Sequence, residues 1–232
     1  MSYTTTMIYS RERQDSAITH VAHTIERELA NNRAVLWLVS GGSAVAIQVA
    51  IMQQLSRDVP DTLTNLTIIP VDERYGPVWH ANSNSAQMRQ AGFNPGSAKW
   101  FDVLDAGSTM SETLERYEEL VEDSFARAKV VIATLGLGVD GHTAGVLPDS
   151  PAALDSTSTV IGYEWSDYTR MTLGLAKLRQ IDDAFVFAYG EAKRDALRRI
   201  SESQEPLSSL PAKVLYGIPT VTVYNDCITS EE

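Results

Sequence analysis

Asp140 and His142 stand two residues apart in Thr134–Pro148, TLGLGVDGHTAGVLP, a stretch with four glycines and no long apolar side-chain run of its own. A carboxylate that orients an imidazole, and an imidazole that exchanges a proton near neutral pH, make an acid/base pair. Three other stretches carry groups suited to the same site. Ser40-Gly41-Gly42-Ser43 precedes a helical pattern, and free backbone N–H groups at a helix start, with a serine hydroxyl, cradle an anion. Asp72-Glu73-Arg74 puts three charges straight after an apolar run, where they need solvent, pairing or a ligand. Lys193 falls in the first turn of a helical segment, where a cation opposes the helix dipole and an anionic partner would relieve it. Each stretch alone also has a plain structural reading: a glycine turn capped by His142 or Ser43, or a solvated lysine.

The elements around these stretches give them a common place. Residues 34–39, 66–71, 130–133 and 184–189 are short continuous apolar runs, the pattern of strands buried on both faces of a parallel sheet. Helical spacing covers residues 16–31, 44–55, a segment capped by Asn82 or Ser83 and running to Ala91, 109–127 and 191–201. A short helix is expected over 207–215, with shorter strands at 159–163, 170–175 and 220–224, the last closing the sheet. Pro70 places its strand near an edge or in an irregular stretch. Strands alternating with helices must run parallel, so Ser40–Ser43, Asp72–Arg74, Gly136–His142 and Gly190–Lys193 are all expected at the carboxyl edge of one sheet. That edge is where open α/β sheets bind ligands. The expected class is therefore α/β with a mainly parallel sheet, and 232 residues make one large domain or two small ones.

Composition narrows the partners. Apolar residues make up 44% and charged residues 21% of the 232, as in a globular protein, and no apolar run approaches a membrane span. The net charge of −11 argues against general nucleic-acid binding, so an anionic ligand would need locally focused cations. The start, Met1-Ser-Tyr-Thr-Thr-Thr, lacks the features of a signal peptide, and the single Cys227 allows no internal disulfide; both fit the cytoplasm. Cys227 itself is expected to be a small buried hydrophobe. His20 and His23 lie three apart on the first helix without a third ligand nearby and are read as surface residues.

Gly136–Gly141 fits the G-x-G-x-x-G spacing of a dinucleotide fold, but Asp140 would face the pyrophosphate and Gly145 and Pro148 cut short the helix that should follow. A zinc site built from Asp140, His142 and His80 is permitted by spacing alone.

Taken in order, LVSGGSA at 38–44, VDERYGP at 71–77, His80 with Ser83-Asn84, LGLGVDGHTAGVLP at 135–148, RMTL at 170–173, YGEAK at 189–193 and LPAKVL at 210–215 resemble the 6-phosphogluconolactonases, in the wider family that includes glucosamine-6-phosphate deaminase. The resemblance covers nearly the whole chain and implies a single α/β domain over residues 1–232, a modified doubly wound (Rossmann-like), mainly parallel sheet with helices on both faces. It implies hydrolysis of 6-phospho-D-glucono-1,5-lactone, in the oxidative pentose phosphate pathway, with no metal and no organic cofactor. It implies His142 as the general base, Asp140 as its orienting carboxylate and Arg74 as a catalytic and binding cation. It further implies substrate contacts from Gly41, Gly42, Ser43, Asp72, Arg170 and Lys193. Two other readings follow from the same kinship. A deaminase would use Asp72 as proton shuttle, but that branch carries a glutamate where this chain has Leu147. A non-catalytic sugar-phosphate sensor commonly loses the Asp–His pair, which this chain keeps. The turn also departs from the family, with Ala44-Val45 in place of the usual Thr-Pro, which removes a hydroxyl from the anion cradle.

Overall fold

The continuous apolar runs are buried on both sides because each is sandwiched between two layers. In the computed structural model, which describes residues 5–166 and 168–228, seven strands form one parallel sheet. Its members are β1 (Thr6–Ser10), β2 (Val35–Val39), β3 (Leu66–Pro70), β5 (Lys99–Trp100), β6 (Val130–Gly136), β9 (Asp183–Ala188) and β10 (Thr220–Asn225), in the order β1-β10-β9-β6-β2-β3-β5. Alternate residues of each strand enter different cores. Val35, Trp37 and Val39 of β2 pack with α1 (Gln14–Ala30), α2 (Val45–Asp58) and α3 (Asn84–Gln90), whereas Leu36 and Leu38 face the opposite core. That second core holds Tyr117 and Val121 of α4 (Met110–Arg127), and Ala196, Leu197 and Ile200 of α7 (Arg194–Glu202). Helices thus cover both faces, as expected.

Four features differ from the sequence reading. Asp72–Arg74 is not a loop but a strand, β4, of a second, antiparallel sheet ordered β4-β8-β7, with β7 at Val160–Glu164 and β8 at Thr169–Leu173. Its charges follow from position at a sheet rim beside the cleft rather than from a free turn. Strand β10 does not close the sheet; it lies between β9 and β1, and β1 was not anticipated. The segment after Leu210 is a 3-10 turn, Pro211–Gly217, in place of a regular helix. A short helix, α5 (Pro151–Leu154), occupies the stretch read as loop, and α6 (Leu175–Leu178) follows β8.

Pro70 is accommodated because β5 spans only two residues and pairs with Thr67 and Ile68, leaving the outer side of Pro70 without a ladder partner in β5. Ser83 caps α3, its hydroxyl oxygen accepting from the Ala86 N–H at 3.1 Å. His20 is exposed, yet its Nδ1 is hydrogen-bonded to the Tyr224 hydroxyl and its ring stands edge-on to Phe185. Cys227 is buried.

The chain runs β2 to β3 toward one edge and β6 to β9 to β10 toward the other, so β2 and β6, which pair directly, mark the point where the winding reverses. Their carboxyl ends define a crevice. It opens between Ser40–Ser43 and Gly136–His142, so the order of strands alone brings the two glycine stretches together.

Candidate active site

A cleft of about 340 Å³ occupies this crevice. It is lined by Ser40–Ser43 after β2, by Asp72 and Arg74 of β4, by Gly136–Val139, His142 and Ala144 after β6, and by Lys193. The cleft therefore brings all four expected stretches together, three from the carboxyl edge of the parallel sheet and Asp72–Arg74 from the second sheet. Alternation along β4 explains the DER order: Asp72 and Arg74 face the cleft, while Glu73 points away and is fully buried. The Glu73 carboxylate accepts hydrogen bonds from the N–H groups of Arg74, Asn84 and Ser85 and from the Ser83 hydroxyl, between 2.6 and 3.0 Å. Burial, the largest influence, raises its pKa against the lowering effect of those N–H groups. Its work is to tie β4 to the start of α3.

The base of the glycine turn is also a buried polar network. The Gln48 amide nitrogen donates to the Ser40 carbonyl at 2.5 Å and its oxygen accepts from the Ser40 N–H at 2.7 Å. The Thr134 hydroxyl donates to the same Gln48 oxygen at 2.7 Å and accepts from the Trp37 indole at 3.1 Å. β2, β6 and α2 are locked together where the turn leaves the sheet. Gly42 has φ of +64°, a left-handed conformation that glycine adopts without strain, and a 3-10 turn, Gly42–Ala44, then leads into α2. The first N–H groups of such a helical start lack intrahelical partners, and Gly41, Gly42 and Ser43 line the cleft.

His142 Nδ1 lies 2.6 Å from Asp140 Oδ1, and the same oxygen accepts the His142 N–H at 3.1 Å. Burial, the largest single effect on Asp140, raises its pKa. The hydrogen bonds and charge interaction with His142 together outweigh it and hold the carboxyl at about 2. With Nδ1 engaged, Nε2 is the nitrogen left for a ligand. Arg199 donates to the Asp140 carbonyl at 3.1 Å while held by Glu205 at 2.7 Å, and Ala212 N–H bonds the Gly141 carbonyl at 3.0 Å. The loop is thus supported from α7 and from the LPAKVL stretch.

Gly138 is a site residue that motif spacing did not single out. A Cβ there would overlap His142 Nδ1 and Asp140 Oδ1, so the pair forms only over a glycine. Gly138→Ala is expected to lower turnover at least about tenfold, since small misplacements of reacting groups are expensive. A mutant with full turnover would show that the pair tolerates displacement.

Lys193 closes the Glu191–Lys193 3-10 turn and caps α7, and its Nζ donates to the Leu137 carbonyl at 2.5 Å. Burial lowers its pKa, opposed by the charge of Asp140. Arg74 donates from Nη1 to the Asn82 carbonyl at 3.0 Å, and its Nε lies 4.0 Å from Asp72 Oδ2. Arg170 is the one expected contact residue that does not line the cleft. It is buried opposite Arg74 across the β4–β8 ladder, and both guanidiniums lie over the Tyr168 ring, at 5.4 and 5.6 Å. Asp140 stands behind His142 rather than in the lining. Among the described residues no three His, Cys, Asp or Glu side chains converge as metal ligands, and His80 is turned to the Arg74 carbonyl. No described helix is long and apolar enough to cross a membrane.

The chain is a doubly wound α/β protein that gathers a carboxylate–imidazole pair, two cations and a glycine turn at its reversal point. The chain belongs to the family of glucosamine-6-phosphate isomerases/6-phosphogluconolactonase, whose sequence profile matches residues 10–222. It is 30% identical over 144 residues to a 6-phosphogluconolactonase of Pseudomonas aeruginosa, covering 60% of this chain and 58% of that one. It is 26% identical over 214 residues to a glucosamine-6-phosphate deaminase of Staphylococcus saprophyticus, covering 84% and 86%. The crystal structure of a 6-phosphogluconolactonase from Shewanella baltica superposes with a TM-score of 0.78 at 21% identity, covering 97% of this chain and 99% of that one, and so shares its fold.

Proposed function

We propose that the chain hydrolyses 6-phospho-D-glucono-1,5-lactone to 6-phospho-D-gluconate, as a step of the oxidative pentose phosphate pathway. The observation that carries this reading is the Asp140–His142 pair at 2.6 Å, whose imidazole shares one cleft with Arg74, Lys193 and the Gly41–Ser43 turn. A lactone is an activated ester, so a base, a water and oxyanion stabilisation are sufficient chemistry. Nε2 of His142 takes a proton from water as its oxygen bonds the lactone carbonyl carbon. The tetrahedral oxyanion collapses, the bond from that carbon to the ring oxygen breaks, and the imidazolium returns its proton to the departing oxygen. Asp140 holds the ring orientation and stabilises the imidazolium. Nothing is oxidised or reduced, and water is the only co-reactant. Arg74, Lys193 and the N–H groups of the turn take the phosphate, a division of labour suited to a dianion with several acceptor oxygens.

The kinship with a deaminase favours a second reading, in which Asp72, buried on the cleft wall, moves a proton at C2. Leu147 in place of that branch's glutamate speaks for the lactonase. Steady-state assay on freshly generated lactone, with spontaneous hydrolysis subtracted, is expected to show saturable acceleration, and ammonia release from glucosamine 6-phosphate to stay at background. The reverse pattern would transfer the assignment to deamination, and silence in both would leave a binding module.

A further inference from the structure

We propose that His80 is a positioning residue for Arg74, closing the segment between β4 and α3 into a brace that fixes the cation facing the anion turn; this rests on the reading of Arg74 as a substrate-binding group. Two hydrogen bonds from this segment converge on that one arginine. His80 Nε2 lies 2.9 Å from the Arg74 main-chain oxygen, and Arg74 Nη1 donates to the Asn82 main-chain oxygen at 3.0 Å. A carbonyl oxygen only accepts, so Nε2 carries the hydrogen. The arginine thus grips the loop with its side chain while the loop grips the arginine's backbone.

The ring has little freedom. A Cβ on Gly76 would stand 3.1 Å from both Cδ2 and Nε2 of His80, so the glycine lets the imidazole lie flat against the chain. The His80 N–H donates to Pro77 O at 3.1 Å, and Ser83 N–H to His80 O at 2.9 Å, which sets the ring between two turns.

At the apex stands Trp79 with φ of +67°, a left-handed conformation uncommon for a bulky residue. Its side chain is half exposed and rests against the Arg89 guanidinium at 4.9 Å, so core burial does not account for the backbone. An unfavourable local conformation persists where its surroundings over-determine it. Here the constraint comes from both sides of the apex and leads to Arg74. The guanidinium is bounded on its face by the Tyr168 ring, 5.6 Å from Cζ, and at Nε by Asp72 at 4.0 Å. An arginine with four flexible side-chain torsions is in this way reduced to a fixed fork before the substrate arrives, the arrangement that preorganised recognition requires.

The test compares His80→Leu, His80→Gln and Gly76→Ala with Arg74→Ala, alone and combined with His80→Leu. Loss of one hydrogen bond that positions a binding group is expected to raise KM for the phosphorylated lactone roughly three- to tenfold, with kcat within about twofold of wild type. His80→Gln, whose amide nitrogen can donate in place of Nε2, should restore most of the affinity. Gly76→Ala, which crowds the ring, should move KM in the same direction as His80→Leu. Combined with Arg74→Ala, His80→Leu should add nothing, because the brace then has no cation to hold. An unchanged KM in folded His80→Leu, or effects of the two substitutions that add in full, would overturn the inference. Should His80→Leu not fold, His80→Gln and Gly76→Ala decide alone: wild-type KM in Gly76→Ala, or no better KM in His80→Gln than in Gly76→Ala, would also overturn it. If Arg74→Ala itself leaves KM unchanged, the assignment of Arg74 fails first and the role of His80 falls with it.

Discussion

Replacement of His142 by alanine is expected to lower turnover by roughly a hundredfold or more, the usual worth of a positioned base, with the fold intact. The side chain is 39% exposed and packs in no core, so its removal leaves no cavity to collapse. The two measurements that check this are kcat and the unfolding transition, taken on the same preparation. Wild-type turnover would remove His142 from the chemistry, and a collapsed transition would make it structural. Asp140→Asn should follow in kcat and much less in KM, because the asparagine amide no longer secures the orientation and charge of the imidazolium. The acid limb of activity should not come from Asp140 in the wild type, whose carboxyl is held at about 2. The sign for stability is that of a depressed acid. Its contribution is present above the ordinary aspartate range and is lost as pH falls through about 2, and solvent at this half-exposed pair keeps it small.

Lys193→Ala is expected to raise KM for the phosphorylated lactone by about 1.5–3 kcal/mol, or roughly ten- to a hundred-and-fiftyfold, if its charged hydrogen bond to phosphate is lost. The protein's charge of −11 repels a phosphate dianion at long range, so cations inside the cleft must overcome that background. Nζ is already held at the crevice by the Leu137 carbonyl at 2.5 Å, and burial lowers its pKa against the charge of Asp140; a phosphate dianion would add a stronger counter-charge. The Leu137 bond adds a smaller fall in kcat, since the Asp140–His142 loop begins there. Unphosphorylated gluconolactone should be a poor substrate whose KM barely responds to the substitution. Equal loss on both lactones would show that Lys193 does not read phosphate.

Strands buried on both faces were legible because nothing polar interrupts Val35–Val39 or Ala184–Ala188, and the glycine turns were legible because they end such runs. β4 was not, because nothing in Asp-Glu-Arg favours a strand; its conformation comes from pairing with β8 far along the chain. β1 was missed because Thr6–Ser10 is only partly buried at the sheet edge, and β5 because two residues leave no periodicity. At the site, Asp140 and His142 could be found from residue type and spacing. The roles of Gln48 and Glu73 are set by contacts between elements, that of Gly138 by the folding of its own loop over Asp140 and His142, and a glutamine within an apolar helix pattern carries no local sign of holding Ser40. Arg170 is visible only as the first residue of the RMTL block of the family resemblance; the antiparallel ladder puts it across from Arg74 and outside the lining.

The placement of β1 has a kinetic meaning. Among the described residues its ladder partner is β10, at the other end of the chain, and the register runs parallel from Thr6↔Thr220 to Ser10↔Tyr224. Among the described strands β1 is synthesised before all the others, and β10, on which it docks, after them. Strands β2, β3 and β6 can pair meanwhile across shorter separations, so contact order favours the β2–β3–β6 part of the sheet forming before the β1 edge. Parallel order leaves β1 no hairpin to join while it waits, so its amides stay in water until Thr220–Asn225 is laid down beside β9.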